Sequence, residues 1–248
     1  MRLGLALSGG GIRGIAHAGV LKALEENNVE IYAIGGTSSG SMISTLYAMG
    51  YSPYYIYILF KKYARDLVNQ NSIFTITSLK NFMTSKKINF SGFYSGEEIE
   101  DVFNEIAKRK GIKKISDIKM PIVIPAVDVQ ESKEYIFTNN IPKEVENKNK
   151  YITDIPIGKA IRASSSFPVA FNPCVYEDHK FLDGGILDNF PSLEVKKQGV
   201  DKVLTVNFMA DDINEDSNIM DIVMRSIDIM GNKASEENVK NSDMLLTI

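Results

Sequence analysis

The chain has 248 residues, with 28 Lys and Arg against 31 Asp and Glu, and this net charge of −3 argues against a nucleic-acid partner. One cysteine cannot form an intramolecular disulfide, and two histidines, His17 and His179, cannot build a three-histidine zinc site. These counts leave little material for a metal site of Cys and His ligands, so we expect no bound metal. A serine hydrolase that relies on histidine would have to use one of these two residues.

Short apolar runs alternate with helical patterns along the chain. Residues 3–7 predict a strand, 15–24 a helix, 29–34 a second strand and 39–49 a second helix. Further predicted elements are helices over 53–67, 99–107, 157–163 and 219–230, and strands over 122–129, 134–138, 180–182, 202–208 and 244–248. Residues 69–94 are aperiodic and are interpreted as an irregular excursion. The alternation predicts an α/β fold with a mostly parallel sheet.

The first predicted strand ends in a glycine-rich turn, Gly9-Gly10-Gly11-Ile12-Arg13-Gly14. This turn matches the dinucleotide fingerprint G-x-G-x-x-G. However, a dinucleotide site also needs an acidic residue at the end of the second strand to bind the ribose, and this chain has none there. The alternative is an oxyanion hole, because consecutive glycines let backbone N–H groups approach a reacting oxygen. Arg13 would add a fixed positive charge. Both interpretations stay open on this turn alone.

The second predicted strand ends in Gly36-Thr37-Ser38-Ser39-Gly40, a G-x-S-x-G pentapeptide between a strand and a helix. That context is the one a nucleophile elbow requires, since the glycines permit a sharp turn that exposes the Ser38 hydroxyl. The helix that follows directs its positive end toward the developing anion. We predict Ser38 to be a nucleophile, with a structural Gly/Ser turn as the alternative.

Ser38 needs a proton acceptor, and neither histidine has a suitable setting. His17 is expected to pack in the core or behind the site, and His179 to lie in an exposed turn. Asp183, in Leu182-Asp183-Gly184-Gly185, ends an apolar strand, and the two glycines that follow leave its carboxylate accessible. Burial would raise its pKa enough for a direct Ser-Asp dyad. The nearby Asp188 is expected to be solvated.

Together these three turns, in this order, resemble the patatin-like phospholipase family, whose elements are G-G-G-x-R/K-G, G-x-S-x-G and D-G-G or D-G-A. The similarity extends to His17-Ala18-Gly19-Val20-Leu21, to Ala163-Ser164-Ser165-Ser166-Phe167-Pro168 and to Asn189-Phe190-Pro191. The resemblance implies a three-layer α/β/α sandwich in a single domain over 1–248. It also implies a catalytic Ser38–Asp183 dyad that uses no cofactor. The remaining implied site residues are Gly9, Gly10, Gly11 and Arg13 at the oxyanion hole, and Gly36, Gly40, Gly184 and Gly185 as support.

The function implied by this resemblance is hydrolysis of fatty-acyl esters of lipids, of the phospholipase A or lysophospholipase type, through an acyl-enzyme. Alternatives are a non-catalytic or regulatory lipid-binding relative and a dinucleotide-binding oxidoreductase. Six tyrosines between 47 and 63 are compatible with a peripheral membrane contact or with an ordinary mixed face. Residues 31–60 lack charged side chains, but glycines and serines interrupt them, so they predict buried structure and a cytoplasmic protein.

Overall fold

A computed structural model of the chain describes residues 1–62, 65, 95–145, 147, 150–209 and 219–248. The predicted irregular excursion at 69–94 and the end of the helix predicted to reach residue 67 lie outside these residues. Within the described part, no helix is long and apolar enough to cross a membrane.

One mixed sheet forms the centre of the described chain. Its strands are β1 (Leu3–Leu7), β2 (Ile31–Gly36), β3 (Ile122–Asp128), β4 (Lys133–Thr138), β5 (Tyr151–Ile152), β6 (Cys174–Tyr176), β7 (His179–Asp183), β8 (Lys202–Asn207) and β9 (Met244–Thr247). The order is β5-β4-β3-β2-β1-β8-β9, with β7 beside β3 and β6 beside β7. Strands β3, β2, β1, β8 and β9 are parallel, whereas β4 and β7 run antiparallel to β3.

Helices cover both faces of this sheet. They are α1 (Ile15–Glu26), α2 (Ser39–Ala48), α3 (53–62), α4 (Glu97–Lys108), α5 (Ile157–Ser164), α6 (Ser192–Lys196), α7 (Ile219–Ala234) and α8 (Glu236–Val239). The larger core packs α1 to α5 on one face, and a smaller core packs Val195 of α6 against Ala6, Ala33 and Val123 on the other. Alternate residues of β1 and β2 are buried in one core or the other, so both faces of the sheet must be covered by helices. The predicted three-layer α/β/α sandwich is confirmed.

The edge of β3 that faces away from β4 is shared by two strands. Strand β2 pairs with its beginning, at Ile122 and Val123, and β7 pairs with its end, from Ala126 to Asp128. Because β2 is parallel and β7 antiparallel to β3, the two strands run toward each other. Their carboxyl ends therefore meet beside the middle of β3, and the residues that follow each strand are brought together.

Most predicted elements agree with the structure to within a few residues. Helix α4 begins two residues before its predicted start, with Gly96 at the N-cap in a left-handed conformation (φ 75°) and the Ser95 hydroxyl accepting a hydrogen bond from the Glu97 N–H. The two-residue β5, the three-residue β6 and the short α6 and α8 were not predicted. Such short elements carry too few residues for a periodic pattern.

Candidate active site

Ser38 lies at the sharp turn between β2 and α2, at the N-terminal end of the helix. Its backbone has φ 53° and ψ −122°, a conformation that a residue with a side chain adopts only under strain. The turn is held by hydrogen bonds from the Gly40 N–H to the Thr37 carbonyl (2.8 Å) and from the Thr37 N–H to the Leu7 carbonyl (3.1 Å). Ser38 is only partly buried, so its hydroxyl is accessible.

Gly36 and Gly40 pack too closely for any side chain. A Cβ on Gly36 would lie 2.2 Å from the Gly40 carbonyl oxygen, and a Cβ on Gly40 would lie 2.4 Å from the Leu7 carbonyl oxygen. Both contacts are with backbone, which cannot move aside as a flexible side chain can. The two glycines of the pentapeptide are therefore required by the close approach of β2, α2 and β1, and this accounts for the G-x-S-x-G spacing.

Asp183 is the last residue of β7 and is almost completely buried. Its Oδ1 accepts a hydrogen bond from the Gly185 N–H at 2.8 Å, and among the described residues its Oδ2 has no hydrogen-bond partner. Gly184 allows the chain to turn tightly here, because a Cβ on it would lie 2.4 Å from the Pro125 carbonyl oxygen. The turn after β7 thus fixes one carboxyl oxygen and leaves the other available for a proton.

Ser38 and Asp183 face each other across the junction of β2 and β7. Burial raises the pKa of the Asp183 carboxyl to about 7, although the Ser38 hydroxyl and the Gly185 N–H lower it; the negative charge of Asp228 on α7 adds to the increase. A carboxylate with a pKa near neutrality is a far better proton acceptor than a solvated aspartate.

The end of α5 and the residues that follow it contact both members of this pair. The Ser38 N–H donates to the Ser164 hydroxyl at 3.1 Å, and the Asp183 N–H donates to the Ser166 carbonyl at 3.0 Å. Residues 163–168 were singled out by their similarity to the family, but their residue types did not indicate that they would hydrogen-bond to both turns.

The glycine-rich turn after β1 lies directly against Ser38. A Cβ on Gly9 would be 3.1 Å from the Ser38 Cβ, and one on Gly10 would be 2.4 Å from the Phe208 ring. The Gly9 N–H donates to Asn189 Oδ1 at 2.9 Å, so this group is already used. Among the described residues, the N–H groups of Gly10 and Gly11 have no hydrogen-bond partner. They are the donors that remain for a ligand oxygen.

Arg13 is directed toward the chain after β8. Its Nη1 donates to the Met209 carbonyl at 2.6 Å, its Nε lies 3.5 Å from the Gly10 carbonyl oxygen, and its guanidinium stacks over the Phe208 ring. These contacts tie the glycine-rich turn to the end of β8. They make Arg13 a support of the turn's backbone.

Both histidines are occupied elsewhere. His17 is buried, its Nε2 lies 2.8 Å from the Ser8 carbonyl oxygen, and burial lowers its pKa to about 4, so its ring is neutral and packs behind the glycine-rich turn, as expected. His179 was expected in an exposed turn, and that was wrong: it lies on β7, with Nδ1 2.6 Å from Asp128 Oδ2 and its ring against Tyr135 and Phe181.

Asp188 is buried, so the expectation that it is solvated was also wrong. Its carbonyl accepts the Thr37 hydroxyl at 2.9 Å, and its Oδ1 accepts the Phe190 N–H at 3.2 Å. Burial and the neighbouring Glu134 carboxylate raise the pKa of Asp188 well above its usual value. The chain folds back at Asp188 and is hydrogen-bonded to Thr37 of the serine elbow, and this folding encloses the Asp188 carboxyl group.

Comparison with known sequences identifies the family. A family profile described as Patatin-like phospholipase matches residues 5–195, which include the glycine-rich turn, the serine elbow and the Asp183 turn. The chain belongs to the patatin-like phospholipase family. The resemblance inferred from the motifs is thus confirmed, and nothing in the match favours the dinucleotide-binding alternative.

Curated relatives agree with this assignment. Lysophospholipase NTE1 of Meyerozyma guilliermondii is 32% identical over 206 residues, covering 83% of this chain and 12% of that protein. Lysophospholipase NTE1 of Candida albicans is 31% identical over 211 residues, covering 83% of this chain and 13% of that protein. The chain therefore spans about an eighth of the length of these relatives.

Among solved structures, a crystal structure of full-length SpcU in complex with full-length ExoU, from the type III secretion system of Pseudomonas aeruginosa, is similar over 98% of this chain and 53% of that chain. The TM-score is 0.47 and the sequence identity 17%.

Proposed function

We propose that this domain hydrolyses a fatty-acyl ester of a lipid, with Ser38 as nucleophile and Asp183 as general base. The observation that carries the proposal is the position of the strained Ser38 elbow beside a buried carboxyl, Asp183, whose pKa burial raises to about 7 and the Ser38 hydroxyl lowers. Membership of the patatin-like phospholipase family supports the choice of a lipid ester as substrate. The similarity to lysophospholipases NTE1 favours lysophospholipids as the first substrates to test.

In the proposed acylation, Asp183 Oδ2 accepts the proton of Ser38 Oγ while Oγ bonds to the acyl carbonyl carbon. The carbonyl oxygen becomes an oxyanion, which the N–H groups of Gly10 and Gly11 and the N-terminal end of α2 stabilise. When the tetrahedral intermediate collapses, the bond to the alcohol oxygen breaks and that oxygen takes the proton from Asp183. The products of this half-reaction are the free alcohol and an acyl-Ser38 ester.

In the proposed deacylation, a water molecule transfers a proton to Asp183 and bonds to the acyl carbon. The bond to Ser38 Oγ then breaks, Oγ takes back the proton, and the fatty acid leaves. The pKa of about 7 suits both halves, because Asp183 must release a proton as readily as it accepts one.

The test is hydrolysis of lysophospholipids followed by mass spectrometry, together with covalent labelling by a fluorophosphonate. We expect Ser38→Ala to abolish both turnover and labelling, and Asp183→Asn to lower kcat by roughly 10²- to 10⁴-fold. Ser44→Ala is the control, because Ser44 is a buried serine of α2, the helix that follows Ser38, and its hydroxyl donates to the Ser41 carbonyl. Labelling of wild type no stronger than that of Ser38→Ala would disprove the nucleophile assignment.

The non-catalytic alternative is decided by the same preparation. Binding to phospholipid vesicles without hydrolysis across lysophospholipids, diacyl phospholipids and neutral esters would favour a lipid-binding relative. A peripheral membrane contact and a cytoplasmic location stay predictions of the sequence.

A further inference from the structure

Helix α7 lies beyond the residues that match the family profile, yet it contacts the turns of the candidate site. Gly231 of α7 packs so tightly on the Asp183 turn that a Cβ on it would lie 1.9 Å from the Gly185 carbonyl oxygen. The Asn189 N–H, six residues after Asp183, donates to Ser235 Oγ at 2.7 Å just beyond the end of α7. The helix is therefore docked against the site by backbone contacts.

The side chain of Asn189 connects this helix to the glycine-rich turn. Its Oδ1 accepts the Gly9 N–H at 2.9 Å, and its Nδ2 donates to Asn232 Oδ1 of α7, also at 2.9 Å. A backbone N–H can only donate, so the amide oxygen of Asn189 has to face Gly9. Its NH₂ group then has to face Asn232, which must present an oxygen. The orientation of both amides follows from the single donor at Gly9.

Without an acceptor at position 232, the Asn189 amide loses one of the two side-chain hydrogen bonds that hold it, and only the Gly9 N–H still opposes its rotation. A flipped amide would direct its NH₂ group at the Gly9 N–H, placing two donors against each other. The glycine-rich turn would then have to shift away. Because Gly9 packs on the Cβ of Ser38, a shift of this turn changes the distance between Ser38 and the N–H groups of Gly10 and Gly11.

We propose that Asn232 is a positioning residue that acts through Asn189 to hold the glycine-rich turn in the geometry required for oxyanion binding. The inference rests on the proposed function, since it assigns a role in that reaction to α7. Asn232 is one residue from Gly231, so the docking of α7 on the Asp183 turn and its bond to Asn189 are set by the same stretch of helix. One helix therefore supports both the base and the oxyanion donors.

A double-mutant cycle tests the connection. Asn189→Ala and Asn232→Ala should each lower kcat by about tenfold or more with KM changed less than about threefold, because a misplaced oxyanion donor affects the transition state more than substrate binding. The double variant should be no slower than Asn189→Ala alone. Asn241→Ala is the control, since the side chain of this asparagine donates to the exposed Glu237 carbonyl, and it should leave kcat unchanged. Losses that multiply in the double variant would overturn the proposal.

Hydrogen exchange in the substrate-free protein gives a readout that does not depend on activity. Exchange at the Gly9 amide should accelerate in Asn189→Ala and Asn232→Ala, and Asn232→Asp, which keeps an acceptor for Asn189 Nδ2, should restore protection. Unchanged exchange in both alanine variants would refute the connection even in an active enzyme. Accelerated exchange together with a wild type that hydrolyses no lipid ester would support the connection and refute the proposed function.

Discussion

Asp183→Asn should make the protein more stable while it removes the proposed base. The substitution keeps an oxygen that can accept the Gly185 N–H, and it replaces a buried carboxyl with a neutral amide of nearly the same shape. Burial raises the pKa of Asp183 from 3.8 to about 7, a difference of roughly 3 pKa units, which corresponds to about 4 kcal/mol. This is the free energy that ionising the buried carboxyl costs the folded state.

The sign and the pH window follow from the same pKa. Below pH 4 the carboxyl is protonated in both the folded and the unfolded state, so wild type and variant should differ little. Between pH 4 and 7 the unfolded chain loses the proton while folded Asp183 keeps it, so wild-type stability falls as the pH rises. Above pH 7 the full difference is reached, and Asp183→Asn should be more stable by up to about 4 kcal/mol.

Urea denaturation of both proteins at pH 4, 6 and 8 measures this difference. Asp128→Asn is the matched control: although burial raises the pKa of Asp128, hydrogen bonds from the Glu131 N–H, His179 and the Gln130 N–H lower it below its usual value. That substitution should destabilise the protein above pH 4, the opposite sign. If Asp183→Asn were no more stable than wild type at pH 8, then ionisation of the buried Asp183 carboxyl would not destabilise the folded protein, and the prediction would be wrong.

Two further predictions concern the same pair. The ratio kcat/KM should rise with pH through a midpoint near 7 and then level off, since Asp183 must be ionised to accept a proton. Asp228→Asn should move this midpoint to lower pH, because it removes a negative charge that raises the Asp183 pKa. Initial rates from pH 5 to 9 measure the midpoint, and a midpoint near 4 would contradict the assignment. Ser38→Gly should be more stable than Ser38→Ala by about 1 kcal/mol, because glycine tolerates the left-handed backbone that alanine adopts only under strain; equal denaturation midpoints would argue against strain at the elbow.

The serine elbow and the glycine-rich turn were recognisable because their functions depend on local backbone geometry. The close contacts of Gly36 and Gly40 demand glycine at fixed spacing around Ser38. Residues that act through distant contacts gave no such signal. Asn189 was identified only as part of a family motif. Asn232 was not predicted to have any role, since a single asparagine in a helix forms no recognisable pattern.

Two expectations about individual polar residues show the same limit. Asp188 was expected to be solvated and His179 to lie in an exposed turn, but the fold buries Asp188, whose carbonyl accepts the Thr37 hydroxyl, and pairs His179 with Asp128. The contacts of the Arg13 guanidinium with the Met209 carbonyl and the Phe208 ring likewise join segments far apart in the chain. Each of these outcomes depends on a partner more than 50 residues away in the chain.

The three glycine-rich turns in their order were sufficient to predict the family and the α/β/α sandwich, and the scarcity of histidine led to the proposal of Asp183 as the partner of Ser38. The sequence did not reveal how the pair meets. The alternation of strands and helices predicted a mostly parallel sheet, whereas β7 runs antiparallel to β3 and its carboxyl end meets that of β2. Strand direction depends on hydrogen bonding between distant segments, so only the tertiary structure could determine it.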